Sequence, residues 1–538
     1  MDLESLIDGM SDPEAYPHPV QSVELRQTHI SLVFLTDELV YKIRKPVKFS
    51  FLDFSSLSQR QADCEREVEL NHRLAPDVYL GVVPVAVQDG QIRVEGAGAV
   101  VEWAVKMRRL PAEATLESRL QCGDVDRNTM TLLAQRLAAF HGAASGGPEI
   151  TRFCQYAAVA HNIQDNLEAG RRCDGTILSP LLVARLTKLT SQRLEQLRAV
   201  IERRAERGVP RDTHGDLRLD HVYVFPDRQS AAHFSIIDCI EFNDALRYAD
   251  PVSDIAFLIM DLKFHGRSDL ASILADEYFK ASGDEEGRLL LPLYVSYRAT
   301  VRAKVELLEL AESEIPITER EAAAERARAH WMLALSELEI PARRPCLILT
   351  GGLPGTGKST LARGLGEIAN CSVLRTDVVR KELAATFQST LITEFNRAQI
   401  YTTEWTDRTY SECLRRTVDQ LQQGQRVIVD GTFSREADRH RFLDAARRMC
   451  VPGLFFVCQA DPQVVQVRLG QRTGDASDAD WAVYQAAVDK WQPMSDQTAR
   501  VTTVIDSGQS ARVSLTSAAR VLANRELLEP LSGAAFSS

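Results

Sequence analysis

The sequence predicts two domains of different class in series: an α+β domain to about residue 338, and an α/β domain with a parallel sheet over 346–525, joined by a short linker at 339–345. Three observations predict this. Strand-like alternation rich in β-branched and aromatic residues dominates 23–50 and 78–107, then gives way to apolar residues at helical spacing. Ile340-Pro-Ala-Arg-Arg-Pro345 ends a helical stretch, because proline removes a backbone donor and locks φ. Beyond it, short apolar runs near 346–350, 372–376, 426–430 and 453–458 alternate with helical segments, the pattern of parallel β-α units. A chain of 538 residues also exceeds what one hydrophobic core serves.

Within the first domain, Ile30-Ser-Leu-Val-Phe-Leu35 and Leu39-Val-Tyr-Lys-Ile43 read as strands joined by the turn Thr36-Asp-Glu38. Helical spacing follows over 56–74, and strand patterns return over 78–87 and 91–107, making a small β-rich lobe with one helix. From about 111 to 206 the pattern is mainly helical, with an apolar stripe over 129–140. Residues 213–241 change to short loops and strands before helices resume to about Leu338. The Ala-, Glu- and Arg-rich stretch 319–329 reads as a solvated helix face, and the tail 526–538 as a frayed end.

Hydrophobic residues at 45% and charged residues at 25% match an ordinary globular protein rather than a disordered one. A net charge of −11 disfavours non-specific binding along a nucleic-acid backbone. The ten cysteines form no C-x-x-C pair, and no histidine cluster stands at metal-ligand spacing, so they read as reduced core thiols. The start, Met1-Asp-Leu-Glu-Ser-Leu-Ile, lacks the basic and long apolar stretches of a secretory signal, and no apolar run of about 18 residues occurs. A cytoplasmic location without a membrane partner is expected.

Gly352-Leu-Pro354-Gly355-Thr356-Gly357-Lys358-Ser359-Thr360 fits G-x-x-x-x-G-K-[ST] and lies between an apolar run and a helix-like stretch. Glycines there let successive backbone N–H groups point at nucleotide phosphates, Lys358 adds positive charge, and the Ser359 hydroxyl is suited to ligate Mg²⁺. The apolar run Gln425-Arg-Val-Ile-Val-Asp430 ends in an acid, and at that end of a parallel sheet Asp430 is suited to hold the metal through water. Arg375-Thr-Asp377-Val-Val-Arg380 puts Asp377 and Arg380 on one face if a helix begins there. The carboxylate suits a general base for an acceptor hydroxyl, and the guanidinium suits an acidic group on that acceptor. Arg468 and Arg472, four apart before the polar loop 473–478, are candidates to close over the γ-phosphate.

Together these features resemble the small P-loop kinases, including the gluconate-kinase-like and polynucleotide-kinase-like groups, over about residues 345–510. The polynucleotide-kinase likeness implies that Asp377 activates the attacking hydroxyl and Arg380 contacts an acceptor phosphate, which leaves nucleotides and nucleic-acid ends open as acceptors. No aromatic stacking platform interleaves with a long basic patch, and this favours a small molecule.

A second constellation lies upstream: His214-Gly-Asp216-Leu-Arg218-Leu-Asp220-His221, then Phe234-Ser-Ile-Ile-Asp238-Cys-Ile-Glu241. An acid after a Gly-containing turn can accept a hydroxyl proton, and an acid ending a strand about twenty residues later can bind Mg²⁺. This resembles the aminoglycoside-phosphotransferase-like branch of the protein-kinase fold, whose loop reads H-G-D-x-x-x-x-N and whose metal Asp lies in I-D-x-x-E, over about residues 20–330. The resemblance implies Asp216 as catalytic base and Asp238 as principal Mg²⁺ ligand. It also implies Lys42 as anchor of the α- and β-phosphates, with Glu67 as its ion-pair partner and Glu65 and Glu69 as alternatives. His221 occupies the position of the family's metal-binding Asn. Imidazole suits a hard cation less well than oxygen does, which shifts metal binding towards Asp220 or Mn²⁺, or weakens catalysis. With no G-x-G-x-x-G ahead of Lys42, the nucleotide loop falls on the turn Gln27-Thr-His-Ile-Ser31. His214 and His221 are also suited to buttress their loop, while Asp250 and Asp254 read as acids that stabilise the lobe.

The tandem resembles bacterial proteins that join an aminoglycoside-phosphotransferase-like module to a P-loop ATP-binding module. It implies ATP- and Mg²⁺-dependent transfer of the γ-phosphoryl group to a hydroxyl of a small molecule. Three arrangements stay open: two active modules, a P-loop nucleotide or polynucleotide 5′-end kinase governed by a weakly catalytic N-terminal sensor, and an ATP-driven switch without an acceptor. Asp377 speaks against the last, since a pure switch needs no base beside the phosphates.

Overall fold

The computed structural model describes residues 2–49, 52–227, 233–310, 315–390, 400, 402–471 and 480–529. Arg472, the loop 473–478 and most of the tail lie outside them. Two compact units divide the chain, residues 1–162 with 196–295, and residues 163–195 with 296–538. The proline-bearing segment 339–345 falls within the second.

In the first unit, helix α1 (Leu3–Ser11) is capped by Asp2, whose carboxylate accepts the Ser5 N–H. Strands β1 (Glu24–Gln27), β2 (Ser31–Leu35), β3 (Leu39–Arg44), β4 (Tyr79–Gln88), β5 (Gln91–Val94) and β6 (Ala99–Arg108) form a six-stranded sheet in the order β1-β2-β3-β6-β4-β5. Every neighbouring pair in it is antiparallel. The 36–38 turn joins β2 to β3 as the alternation predicts, and Thr36 closes it on the Leu39 carbonyl. Side chains alternate across a strand, so Tyr41 and Ile43 face one side, packed with Leu6 and Met10 of α1. Val40 faces the other side, where helix α2 (Leu57–Asn71) contributes Cys64. A capping box between Ser56 and Gln59 starts α2. Lys42 shares the parity of Val40 and is thereby directed to α2.

The remainder of the unit is largely helical. Helix α3 (Arg127–Ala143) packs against α5 (Ser268–Ser282), which also packs on the almost wholly buried α4 (Pro251–Phe264). The antiparallel pair β7 (Val222–Val224) and β8 (Phe234–Ile236) carries the segment that precedes Asp238.

The second unit is built on a five-stranded sheet. Strands β9 (Cys346–Gly351), β10 (Ser372–Arg375), β11 (Arg426–Asp430), β12 (Gly453–Gln459) and β13 (Thr502–Asp506) run in the order β10-β11-β9-β12-β13, all parallel. Strands β9 and β11 are buried throughout, which explains their unbroken apolar runs. The edge strand β13 was not anticipated from the sequence: its Thr-rich stretch buries only Ile505, and one buried residue leaves no periodic signal. The sheet is accompanied by α6 (Lys358–Ile368), α7 (Thr376–Thr390), α8 (Thr403–Gln422), α9 (Pro462–Gly470) and α10 (Ala511–Asn524), with α6 packed on α10. In the helix Ile317–Leu338, Glu319, Glu321 and Glu325 are exposed while Ala323 and Ala327 are buried, so the charged positions form the solvated face. Among the described residues no helix is long and apolar enough to cross a membrane.

Candidate active sites

In the first unit, Lys42 Nζ donates to Glu67 Oε1 at 2.9 Å and to Asp238 Oδ1 at 3.1 Å, joining groups up to 196 positions apart. Glu67 is buried, whereas Glu65 and Glu69 are exposed and bonded to Gln61 and Arg66 on the same helix. At 3.6 residues per turn Glu65 and Glu69, four apart, share one face of the helix, and Glu67 lies on the opposite one, which is the face turned to the sheet. The second Glu67 oxygen accepts from Arg44 Nη2 at 2.7 Å, and Arg44 also donates to Asp63 at 2.6 Å, to Ser31 Oγ at 2.8 Å and to Glu241. Arg44 was missed in the sequence, although its parity with Lys42 on β3 was the available signal. Burial works against the Lys42 ammonium, but Asp238 and Glu67 outweigh it and hold its pKa above the ordinary lysine value. In turn the Lys42 ammonium, against the cost of burial and with His221 adding to it, holds the Asp238 carboxyl well below its usual range.

Asp238 adopts φ +64°, a conformation that costs a non-glycine residue about 1 kcal/mol and persists only where neighbours enforce it. Its N–H donates to the Tyr79 hydroxyl at 3.1 Å, and the next N–H, of Cys239, donates to Asn71 Oδ1 at 3.0 Å. The loop 214–221 is held by acids from α4. Asp254, fully buried, accepts the N–H groups of His214 and Gly215 at 3.1 and 2.9 Å and also meets His141 Nε2 at 3.1 Å. Asp261 accepts the Leu219 N–H at 3.2 Å. Asp254 thus positions the loop that carries Asp216, beyond the lobe-stabilising role its place in the sequence suggests. Asp250 caps α4 through the Val252 N–H and pairs with Arg204. His214 Nε2 donates to the Ile237 carbonyl at 3.0 Å, and His221 Nδ1 to the Asp216 carbonyl at 2.9 Å. Asp216, Arg218, Asp220, His221 and Asp238 are therefore brought together, with the Asp216 carboxylate partly open to solvent.

In the second unit, the glycine-rich segment turns between β9 and α6. Gly352 has φ +137°, and a Cβ there would stand 2.6 Å from the Cys458 carbonyl oxygen and 2.8 Å from Thr356 Oγ1, so only glycine fits. Gly355 and Gly357 also have positive φ, and α6 begins at Lys358. Thr356 Oγ1 donates to the Leu353 carbonyl at 2.8 Å, while Ser507 Oγ bonds the carbonyls of Thr356 at 2.5 Å and Gln459 at 2.8 Å. A cleft of about 270 Å³ opens beside this loop, lined by Gly355, Gly357, Lys358, Ser359, Thr360 and Arg468 among others. Among the described residues Arg468 Nη1 is buried without a hydrogen-bond partner, and Nη2 reaches the Gln509 carbonyl at 3.5 Å. Arg468 thus lines the same cleft as Lys358 and Ser359.

Asp430 ends β11 in register with Thr350 of β9 and Arg375 of β10, at the carboxyl edge of the sheet. Its carboxylate is buried, Oδ2 lies 3.4 Å from Arg375 Nε, and Oδ1 has no hydrogen-bond partner among the described residues. Burial raises the Asp430 pKa, opposed by Lys358, the Ser359 hydroxyl and Arg375, and reinforced by the charge of Asp377. Asp377 is half-buried in the first turn of α7, so a helix does begin there. Arg380 is turned into the protein: it is buried, and Nη1 donates to the Ile400 carbonyl at 2.6 Å and lies 3.4 Å from Thr406 Oγ1. An acidic group on an acceptor would have to displace those bonds.

These residues fit a divalent cation. The orphaned Asp430 oxygen, beside Ser359, is what a hydrated metal would satisfy in the second unit, and Asp238 with His221 offers a carboxylate and an imidazole in the first. Among the described residues no group of three or more His, Cys, Asp or Glu side chains is arranged to hold a metal alone. Phosphate oxygens of a bound nucleotide would complete either shell.

Residues 36–291 match the model of the phosphotransferase enzyme family, and residues 347–494 match the model of an AAA domain. Uncharacterized proteins of Mycobacterium tuberculosis and Mycobacterium bovis are 33% identical to the chain over 479 residues, covering 88% of it and 90% of each of them. Among solved structures, a choline/ethanolamine kinase family protein from Mesorhizobium loti is matched over 62% of this chain and 98% of its own, at 14% identity and a TM-score of 0.36. A gluconokinase from Sinorhizobium meliloti is matched over 34% and 95%, at 15% identity and a TM-score of 0.25.

Proposed function

We propose, from the premise that the chain belongs to the family of these mycobacterial proteins, with a phosphotransferase-family module followed by an AAA-type P-loop module, that it is an ATP-dependent phosphotransferase with two working sites. Each transfers the γ-phosphoryl group of ATP to a hydroxyl of a small molecule. The observation that carries this is Lys42 held between Glu67 and Asp238 at 2.9 and 3.1 Å, beside a loop that presents Asp216. A degenerate scaffold would have no need to bury so many mutually dependent charges.

At the first site, Lys42 binds the α- and β-phosphates and Asp216 accepts the acceptor's hydroxyl proton as its oxygen bonds to phosphorus. The bond from phosphorus to the β,γ-bridging oxygen breaks, and ADP leaves. At the second, the backbone of 352–357 and Lys358 cradle the phosphates, Arg468 neutralises charge on the γ-phosphoryl group, and Asp377 takes the proton. Asp238 and His221 in one module, and Ser359 and Asp430 in the other, would hold a divalent cation, which would supply neutralisation of phosphate charge. Ten free cysteines support a reducing, cytoplasmic setting.

One observation favours a second reading, in which the first module senses a ligand and governs the P-loop kinase: His221 stands where the resembled family has a metal-binding Asn. The experiment is transfer of labelled γ-phosphate from ATP to pooled metabolites, nucleotides and oligonucleotide ends, comparing the natural chain with Asp216→Ala and Lys358→Ala. Two active sites predict that each substitution removes a different labelled product. Loss of all transfer with Lys358→Ala alone supports the sensor, and label released only as free phosphate refutes acceptor phosphorylation altogether.

A further inference from the structure

Arg426 opens β11 with the parity of Ile428, so both side chains face the core that α6 and α10 cover. The register of the sheet sets it between two cysteines. Cys346 of β9 stands opposite Arg426, and Ser372 of β10 stands opposite Val427, which brings Cys371, the residue before Ser372, level with Arg426 on its other side. Both cysteines belong to that core, Cys346 wholly buried and Cys371 8% exposed at its edge.

Arg426 is itself buried, and its bonds go to neutral acceptors: Nη1 donates to the carbonyls of Pro341 and Arg344 at 2.9 and 3.0 Å, and Nη2 to that of Leu527 at 2.6 Å. Among the described residues Nε has no hydrogen-bond partner and no carboxylate pairs with the guanidinium. A cation buried without a counter-charge is costly, and the group beside it that can supply one is a thiolate. The Cys371 sulfur faces the guanidinium and accepts from the Cys346 thiol. The Ala369 carbonyl, 3.5 Å from Cys371 Sγ, pulls the other way, but a thiol is a weak donor and that bond opposes loss of the proton only slightly. Donation from Cys346, against the cost of burial and with the Arg426 charge adding to it, holds the Cys371 pKa below its ordinary value; the same bond, with burial, holds that of Cys346 above its own, so Cys346 keeps its proton.

A way in exists. Cys371 lines a groove of about 370 Å³ between α6 and β10, together with Ser359, Arg363, Glu367 and Arg375. We infer that Cys371 is a modification site, a thiolate paired with Arg426 that a small peroxide entering by this groove converts to a sulfenic acid. The thiolate attacks one peroxide oxygen, the O–O bond breaks and hydroxide leaves; the sulfur is oxidised by two electrons and the peroxide is reduced by the same two. Cys346 and Arg426 are positioning residues here, since they act by holding charge on the Cys371 sulfur.

The test treats the reduced full chain with hydrogen peroxide, traps sulfenic acid with dimedone, and reads each cysteine-bearing peptide by mass spectrometry. The exposed Cys122 is the internal reference, and the wholly buried Cys413 reports any opening of the core. At about pH 6.5 Cys371 should be labelled roughly fivefold faster than Cys122, because a larger thiolate fraction outweighs the lower nucleophilicity of a less basic sulfur. Alkylation by iodoacetamide should show a pH midpoint for Cys371 at least about one unit below that of Cys122, and Arg426→Met or Cys346→Ala should raise it. The comparison of two cysteines within the natural chain needs no variant, so it decides the matter even if Arg426→Met does not fold. Labelling of Cys371 no faster than Cys122, a shared pH midpoint, or labelling of Cys413 at the same rate as Cys371 would each overturn the inference.

Discussion

Asp254→Asn tests whether a buried carboxylate holds the loop that presents Asp216. The native side chain is fully buried and accepts from the N–H groups of His214 and Gly215 at 3.1 and 2.9 Å, and it meets His141 Nε2 at 3.1 Å. Asparagine preserves the shape but has one accepting oxygen, and its amide nitrogen would face a donor. One backbone N–H therefore loses a charged acceptor, a change worth about 2–3 kcal/mol. If the two amides exchange through local opening, their hydrogen exchange should quicken roughly 30- to 160-fold, because each 1.36 kcal/mol is a factor of ten. Mass spectrometry of a peptide spanning 210–220 reads this, with a peptide spanning 350–362 as an internal reference that should not change. Phosphotransfer that depends on Asp216 should fall in parallel. Exchange at His214 and Gly215 within twofold of the natural chain would refute the idea that Asp254 positions the loop.

Two further outcomes follow from the electrostatics. Burial lowers the His214 pKa to about 4 from an ordinary 6.5, outweighing the opposing charge of Asp254, so between those values the unfolded chain binds a proton that the native one does not. Stability from this group is complete above about pH 6.5 and drains as pH falls towards 4, by up to about 3 kcal/mol; the melting temperature of the first unit should drop over that window, and His214→Gln should flatten the slope. An equal slope in both proteins would count against it. In the second unit, Asp430→Asn removes a buried anion whose Oδ1 is unpartnered among the described residues, so melting without ligand should stay level or rise by a few degrees while the rise induced by Mg²⁺ and ATP is lost. A destabilised ligand-free protein that keeps its nucleotide-induced shift would show Asp430 to be structural.

Asp216, Asp238, Lys358 and Asp430 could be singled out as candidates from residues alone because each sits in a short segment whose chemistry is local, whereas Lys42 came from the family resemblance. A strand parity, a glycine that permits a positive φ, or an acid at the last position of a buried apolar run is determined by neighbours within a few residues. The two sheets were legible for the same reason, save β13, whose single buried side chain leaves no period to detect. Tertiary structure alone decided that Glu67, and not Glu65 or Glu69, reaches Lys42, since that depends on which face of α2 meets the sheet. It alone showed Asp254 reaching back 40 residues to the loop, Arg44 joining four partners, and Arg380 turned inwards onto the Ile400 carbonyl. Local backbone preferences act through adjacent dihedrals and carry no information about distant partners. A buried charge, by contrast, is set by whichever opposite charge the completed packing brings within about 3 Å.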